Sequence, residues 1–177
     1  RSINSMASHC AISIIIPVYN EAEVLPELLD RVHALNLGQT EVIVVDDGST
    51  DGSAETALNA GASVVRHPYN IGNGAAVKSG IRAARGQLLV LMDGDGQHKP
   101  EDIPKLLKES GEYHMIIGAR GKGSKLRFHR YAANLLYNLL ASYVTKFKVQ
   151  DLTSGFRVLS RHHALSFLDL LPNTFSY

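Results

Sequence analysis

The sequence predicts an α/β fold, a mostly parallel sheet flanked by helices on both faces, and three observations lead there. From Ala11 onward, short apolar runs alternate with segments of helical period. That alternation is the mark of strand–helix–strand units with right-handed crossovers. The runs are apolar throughout, not on every second residue, as in strands buried on both faces. Several of them also end abruptly in polar or acidic residues, which sets those residues along one rim, at the edge where open α/β sheets bind ligands.

The bulk figures agree. A chain of 177 residues fits one domain with a sizeable core. With 45% hydrophobic and 20% charged residues, nothing in the composition suggests disorder. The net charge of +1 singles out no nucleic-acid partner. The single cysteine, Cys10, excludes an internal disulfide framework and fits a reducing compartment. No apolar run reaches the roughly 18 residues of a spanning helix. Residues 1–10 read as a tag remnant or disordered N-terminus and 11–177 as one domain. That domain stops at Asn173–Tyr177 without a polar tail, as a fragment of a longer protein would.

Taken in order, Ala11–Ile16 is a β-branched run that Pro17 is expected to stop. Pro17-Val18-Tyr19-Asn20-Glu21 reads as a polar-aromatic loop. Val24, Leu25, Leu28, Leu29, Val32 and Leu35 recur at helical spacing, and Gly38 ends that helix. Glu41–Val45 predicts a second strand, again closed by acids in Asp46-Asp47-Gly48-Ser49. Thr50–Ser53 is rich in helix-capping residues, with a short helix expected to Ala60. Ala62–Val65 predicts a short third strand, and the loop His67–Gly74 leads into a helix from Ala75 to Ala84. The central strand, ending at Met92, follows. Beyond it, Glu101–Leu107 reads as a helix start and Tyr113–Gly118 as another strand.

The chemistry concentrates at Met92-Asp93-Gly94-Asp95-Gly96-Gln97-His98. A buried strand cannot carry an unpaired charge, so Asp93 and Asp95 must emerge at its carboxyl end. Two acids separated by a residue without a side chain can both reach one hard divalent cation. Mg²⁺ or Mn²⁺ held in this way spends its open positions on substrate phosphates. A calcium loop would need glycine at its sixth position and glutamate at its twelfth, where this chain has His98 and Pro104. A plain turn remains the alternative. Other phosphate motifs fail: Gly72-Asn73-Gly74 lacks the third glycine of a dinucleotide turn, and Val77 precedes Lys78-Ser79 where a P-loop needs glycine.

Downstream, Tyr113–Gln150 contains no acidic residue, while Arg120, Lys122, Lys125, Arg127, Arg130, Lys146 and Lys148 fall within it. Such a stretch is either a solvated face or a site for phosphate or an anionic membrane surface. The apolar, aromatic stretch Tyr131–Val144 is a core helix or an interfacial one; both readings stay open. Asp151-Leu152-Thr153-Ser154-Gly155-Phe156-Arg157 is the last site-like loop. Its Arg157 suits bidentate phosphate recognition or, equally, a salt bridge to Asp151. His162 and His163 read as surface residues, and His98 as support for the acids rather than a ligand.

Ile16-Pro17-Val18-Tyr19-Asn20-Glu21, Val44-Val45-Asp46-Asp47-Gly48-Ser49, Asn70-Ile71-Gly72 and Met92-Asp93-Gly94-Asp95 stand in order at telling separations. Together they closely resemble family 2 of the inverting nucleotide-sugar glycosyltransferases. The loop Asp151–Arg157 resembles that of the polyprenyl-phosphate branch, which includes dolichol-phosphate mannose synthases and undecaprenyl-phosphate glucosyltransferases.

The resemblance implies the GT-A fold, Rossmann-like, and a catalytic domain over 11–177. It implies metal-dependent inverting transfer of a hexose from a GDP-mannose or UDP-glucose type donor to a polyprenyl phosphate. Pro17, Tyr19, Glu21, Asp46, Asp47, Asn70 and Lys78, with Asp93, would serve the nucleotide sugar, Asp47 by accepting from the base. Asp93, Asp95 and Gln97 would hold Mg²⁺ or Mn²⁺. Arg120, Arg130, Asn134, Ser154 and Arg157 would meet the acceptor phosphate, although serine is frequent where Asn134 stands. Asp93, Asp95, Arg120, Arg130 and Asp151 form the implied catalytic set. A phosphate acceptor is already ionised, so no dedicated base is expected, and Asp151 is the candidate if there is one. The implied setting is the cytoplasmic face of a membrane, peripheral or anchored by segments outside this chain, with a homo-oligomer or membrane subunit possible and no nucleic acid. The alternatives are a family 2 enzyme acting on a saccharide hydroxyl and a catalytically silent nucleotide-sugar-binding subunit.

Overall fold

The computed structural model describes residues 11–111, 113, 115–118 and 154–170. Among the described residues, six strands form one sheet: β1 (Ile12–Val18), β2 (Thr40–Asp46), β3 (Ser63–Arg66), β4 (Leu88–Leu91), β5 (Met115–Ile117) and β6 (Arg157–Ser160). The helices are α1 (Leu25–His33), α2 (Ser53–Asn59), α3 (Asn73–Ala83), α4 (Ile103–Glu109) and α5 (Arg161–Phe167), with single 3₁₀ turns at Pro100–Asp102 and Leu168–Leu170.

The strand order is β3-β2-β1-β4-β6-β5. The chain steps outward from β1 to β3, then returns to lay β4 on the other side of β1, with all of these pairs parallel. A crevice therefore opens beyond the carboxyl ends of β1 and β4, where the strand order reverses. β6 runs antiparallel between β4 and β5, so its amino end reaches the same rim. Sequence patterning misses β6, because four residues with a central Val158-Leu159 carry no readable period.

Alternation along the strands builds the two faces. Ile14, Ile16, Val18, Val44 and Val90 pack with Leu25, Leu28, Leu29 and Val32 of α1, Ala57 of α2 and Ile103 of α4. Ile15, Ile43, Val45, Leu89 and Leu91 pack with Ala76 and Ile81 of α3 and Ala164 of α5. Helices cover both faces, as expected for unbroken apolar strands.

Pro17 does not end β1, contrary to expectation. Val18 O accepts from Asp47 N on the β2 side, while Ile15 O accepts from Met92 N on the β4 side. By that alternation Pro17 addresses β4, whose last paired residue is Leu91 opposite Ile15. The missing N–H thus falls where β4 has already ended.

At the opposite edge, Glu41 ties three elements together. It accepts from Ser13 Oγ (2.6 Å), Arg85 N (2.7 Å) and the Arg85 guanidinium (2.8 and 3.0 Å). Burial pushes its carboxyl up, but these donors outweigh burial and hold it below the usual glutamate range. A depressed folded value stabilises the fold above the unfolded glutamate pKa of about 4.3, and that contribution is lost as pH falls through the folded value. Glu41→Gln is therefore expected to lower the melting temperature at pH 7, by a margin that shrinks as pH falls below the ordinary glutamate range, in paired thermal melts.

Candidate active site

Five chain segments meet at the carboxyl rim: the ends of β1, β2, β3 and β4, and the amino end of β6. The first two are joined side by side. Asn20 N donates to Ser49 Oγ (2.9 Å), Glu21 N to Ser53 Oγ (2.9 Å) and Ala22 N to Asp51 Oδ2 (2.9 Å), while Thr50 N donates back to Asn20 Oδ1 (2.9 Å). The residues expected to cap α2 serve two purposes. Asp51 Oδ1 accepts from Ser53 N at the start of that helix (3.0 Å), while Asp51 Oδ2 and Ser53 Oγ reach across to the β1 loop. This pins the loop that presents Tyr19, an exposed aromatic, beside Glu21.

The two acids after β2 are buried, and both are builders of this rim. Asp46 is inaccessible to solvent; its Oδ1 accepts from Ser49 N (2.9 Å), and its Oδ2 lies 3.3 Å from Arg66 Nε, out of hydrogen-bond alignment. Asp46 therefore closes the turn, which corrects its expected place among the ligand contacts. Asp47 accepts from Ile71 N (3.0 Å) and Gly72 N (2.8 Å) and pairs with His67 Nδ1 (2.7 Å). His67 Nε2 in turn lies 2.8 Å from Ser79 Oγ on α3. An ionised Asp47 can only accept, so a neutral His67 carries its proton on Nδ1 and accepts from Ser79. Gly48 completes the corner: its φ is +77°, and a Cβ there would stand 2.6 Å from Tyr69 Cα. The loop bearing exposed Tyr69 and Asn70 is thereby hung on Asp47. No periodicity or motif in the sequence points to His67 or Ser79 as members of this network.

After β4, Asp93 is partly exposed and Asp95 exposed, with Asp95 Oδ1 accepting from Gln97 N (2.9 Å). Glu21 of the β1 loop lies within electrostatic reach of Asp95. Burial first, then the negative charges of Asp95 and Asp51, raise its carboxyl above the ordinary glutamate range. A raised folded value means that the fold is favoured with Glu21 protonated; that contribution is full below the unfolded pKa and lost as pH rises through the folded value. Glu21→Gln is accordingly expected to raise the melting temperature of the ligand-free protein at pH 7.5 and to leave it unchanged at pH 4. Differential scanning calorimetry at both pH values would show it.

His98 is buried, with Nε2 3.6 Å from Asp93 Oδ2 and its ring 5.3 Å from that of Phe156. Its ring thus stands beside the Asp93 carboxylate. Gly155 lies against the Asp93 carboxylate, where a Cβ would overlap it. Ser154 is wholly buried, its Oγ donating to Gly118 O (2.6 Å) and accepting from Phe156 N (3.2 Å). Its hydroxyl is spent inside the fold, which corrects the expectation that it meets an acceptor phosphate. Arg157 Nε donates to Ser154 O (2.8 Å). Pro17 is buried in β1, and Lys78 is half-buried on α3. The expected Arg120, Arg130, Asn134 and Asp151 lie outside the described residues, as does the stretch Tyr131–Val144.

Among the described residues, no group of three or more histidine, cysteine or acidic side chains is gathered to hold a metal. Two carboxylates on one turn are instead the donor set of a hard cation that shares its shell with substrate phosphates. Asp93 and Asp95 fit a divalent cation of that kind.

A switch-point crevice is where open α/β sheets bind their ligands, and here a carboxylate pair edges it. The family model for glycosyl transferase family 2 matches residues 13–165, and the chain belongs to that family. It is 32% identical over 183 residues to an undecaprenyl-phosphate 4-deoxy-4-formamido-L-arabinose transferase of Photorhabdus laumondii, covering 93% of this chain and 56% of that protein. A Pseudomonas fluorescens protein of the same name is 34% identical over 188 residues, covering 95% and 54%. Among solved structures, mannosyl-3-phosphoglycerate synthase from Rubrobacter xylanophilus superposes with a TM-score of 0.71 at 25% identity, covering 87% of this chain and 54% of that one. Glucosyl-3-phosphoglycerate synthase from Mycobacterium tuberculosis, in complex with Mn²⁺ and UDP-glucose, gives 0.70 at 26% identity, covering 88% and 57%. The fold is GT-A. The chain spans about half the length of the curated relatives it matches.

Proposed function

We propose that this chain is the donor-binding, catalytic part of a metal-dependent glycosyltransferase that moves a hexose from a nucleotide sugar to a polyprenyl phosphate. The observation that carries the reading is the Asp93/Asp95 pair at the switch point, opposite a β1 loop fixed by Ser49, Asp51 and Ser53. Names of relatives support the acceptor class, since they are undecaprenyl-phosphate transferases. A neighbour crystallised with Mn²⁺ and UDP-glucose supports the donor class and the cation.

In this reading Asp93 and Asp95, with Gln97 beside them, hold Mg²⁺ or Mn²⁺ on the donor diphosphate. The cation supplies Lewis-acid neutralisation of the leaving group when bound. Pro17, Tyr19, Glu21, Asn70 and Lys78 line the donor side. Asp47 acts there through the loop it suspends, and directly on a base through whatever acceptor capacity its three partners leave. A phosphate oxygen of the acceptor attacks the anomeric carbon as the glycosidic bond to the diphosphate breaks, with inversion. That oxygen is already ionised at neutral pH, so the protein's task is positioning and charge neutralisation. Arg120 and Arg130, with Asn134, are assigned to that task, Arg157 adds to it, and Asp151 is the reserve base. The acceptor places the enzyme at the cytoplasmic face of a membrane. No helix among the described residues is long and apolar enough to cross one.

Titration calorimetry with UDP-glucose, GDP-mannose and a UDP-aminopentose, with and without Mn²⁺, tests the donor half. Metal-dependent binding of UDP-glucose or GDP-mannose is expected; binding of the aminopentose donor alone would overturn the hexose, and binding of none in a folded sample overturns the donor site. Radiolabel transfer to undecaprenyl phosphate by the full-length protein tests the other half; transfer to a glycan instead, or donor binding without transfer, would select the saccharide-acceptor or silent-subunit alternative.

A further inference from the structure

We infer that Gly155 is the positioning residue of the metal-binding carboxylate, and that the late loop around it serves the donor's cation before it serves any acceptor. The inference rests on the donor site proposed above. It comes from the register of the sheet. In the antiparallel β4/β6 pair, Leu88 faces Ser160, Leu89 faces Leu159, Val90 faces Val158 and Leu91 faces Arg157. Continued past the last rung, the same register sets Met92 against Phe156 and Asp93 against Gly155. Residues facing one another across an antiparallel ladder project to the same side, with their Cβ atoms roughly 5 Å apart. The Asp93 side chain should therefore lie directly beside whatever side chain residue 155 carries.

The geometry meets that expectation. A Cβ on Gly155 would overlap Oδ1, Oδ2 and Cγ of Asp93 together, and no backbone or other side chain comes as close. The carboxylate lies across a glycine because only a glycine leaves that place open. Its other neighbours are equally fixed. His98 Nε2 stands 3.6 Å from Oδ2 and is buried against the Phe156 ring, while Phe156 O accepts from Gly118 N (2.8 Å) and Ser154 Oγ donates to Gly118 O (2.6 Å). Residues 154–156 are thus anchored to β5, and the loop cannot yield to a new methyl group without breaking those bonds. The carboxylate has to yield instead. No φ in the left-handed range is involved at Gly155, so a backbone-strain account does not compete.

Gly155→Ala tests this in the full-length protein, with Gly111→Ala, whose Cβ would meet open space, as the control. Mn²⁺ uptake is read by loss of the free-ion electron paramagnetic resonance signal, in the presence of UDP or GDP. Displacing a metal-binding group by a neighbouring contact typically costs about 10–100-fold in affinity. A loss in that range is expected for Gly155→Ala, with a melting temperature near wild type and no change for Gly111→Ala. Because Gly155 acts through Asp93, Gly155→Ala should add no further loss in an Asp93→Ala background; an additive loss would make the role merely structural and overturn the inference. A crystal structure of Gly155→Ala with the Asp93 carboxylate in its present place would also overturn it. Failure of the wild type to take up Mn²⁺ with either nucleotide is a separate result: it removes the donor-site reading on which the inference rests and overturns both.

Discussion

Asp95→Ala is expected to abolish metal-dependent donor binding while leaving the fold intact. Asp95 is exposed and accepts from Gln97 N two residues on, so little packing is lost. Surface substitutions of this kind fall within about 0.5 kcal/mol of neutral. Removing its charge also relieves Glu21, whose carboxyl it helps to raise. Melting temperature should therefore hold or rise slightly. Loss of one of the acids proposed to hold the cation, by contrast, should weaken Mn²⁺-dependent nucleotide-sugar binding by at least roughly 100-fold, since changing a group that merely supports a metal ligand already costs about 10–100-fold. Calorimetry with and without Mn²⁺ reads the first effect and a thermal melt the second. An Asp95→Ala protein that binds its donor normally would dissociate this acid from the cation.

Asp47→Ala should behave in the opposite way. The carboxylate is 3% exposed and has three partners, two of them backbone N–H groups of the loop bearing Asn70. Hydrogen bonds to a charged acceptor contribute about 1.5–3 kcal/mol each, and removing one partner strands the others. A destabilisation on the order of 3 kcal/mol is expected, or roughly 6–12 °C in melting temperature for a chain of this size. Donor binding would fall with it, because the loop after β3 loses its suspension. His67→Gln should lose part of this stability and Ser79→Ala less, in the order of their distance from the carboxylate. Urea unfolding of the three variants gives that order; equal losses would mean that the network is not a chain hung from Asp47.

Much of the fold and half of the site are legible in the sequence, and the division has physical causes. The unbroken apolar runs could only be strands covered on both faces, and charge cannot remain inside such a strand, so Asp93 and Asp95 had to stand at a carboxyl end. Helical spacing of Leu25, Leu28, Leu29 and Val32 likewise set the buried face of α1. These are local consequences of period and desolvation, which a sequence carries in itself. Pro17 inside β1, the antiparallel β6, and the burial of Asp46 and Ser154 depend on which strand lies alongside. Strand order and register alone decide that. So does the use of Asp51 and Ser53 to hold the β1 loop, and of His67 and Ser79 to hold Asp47, pairs separated by 12 to 32 residues. Gly155 sums up the difference. In the sequence it is one glycine in a loop; opposite Asp93 in the sheet it is the space that the carboxylate occupies, because two residues more than 60 positions apart share one rung of an extended ladder.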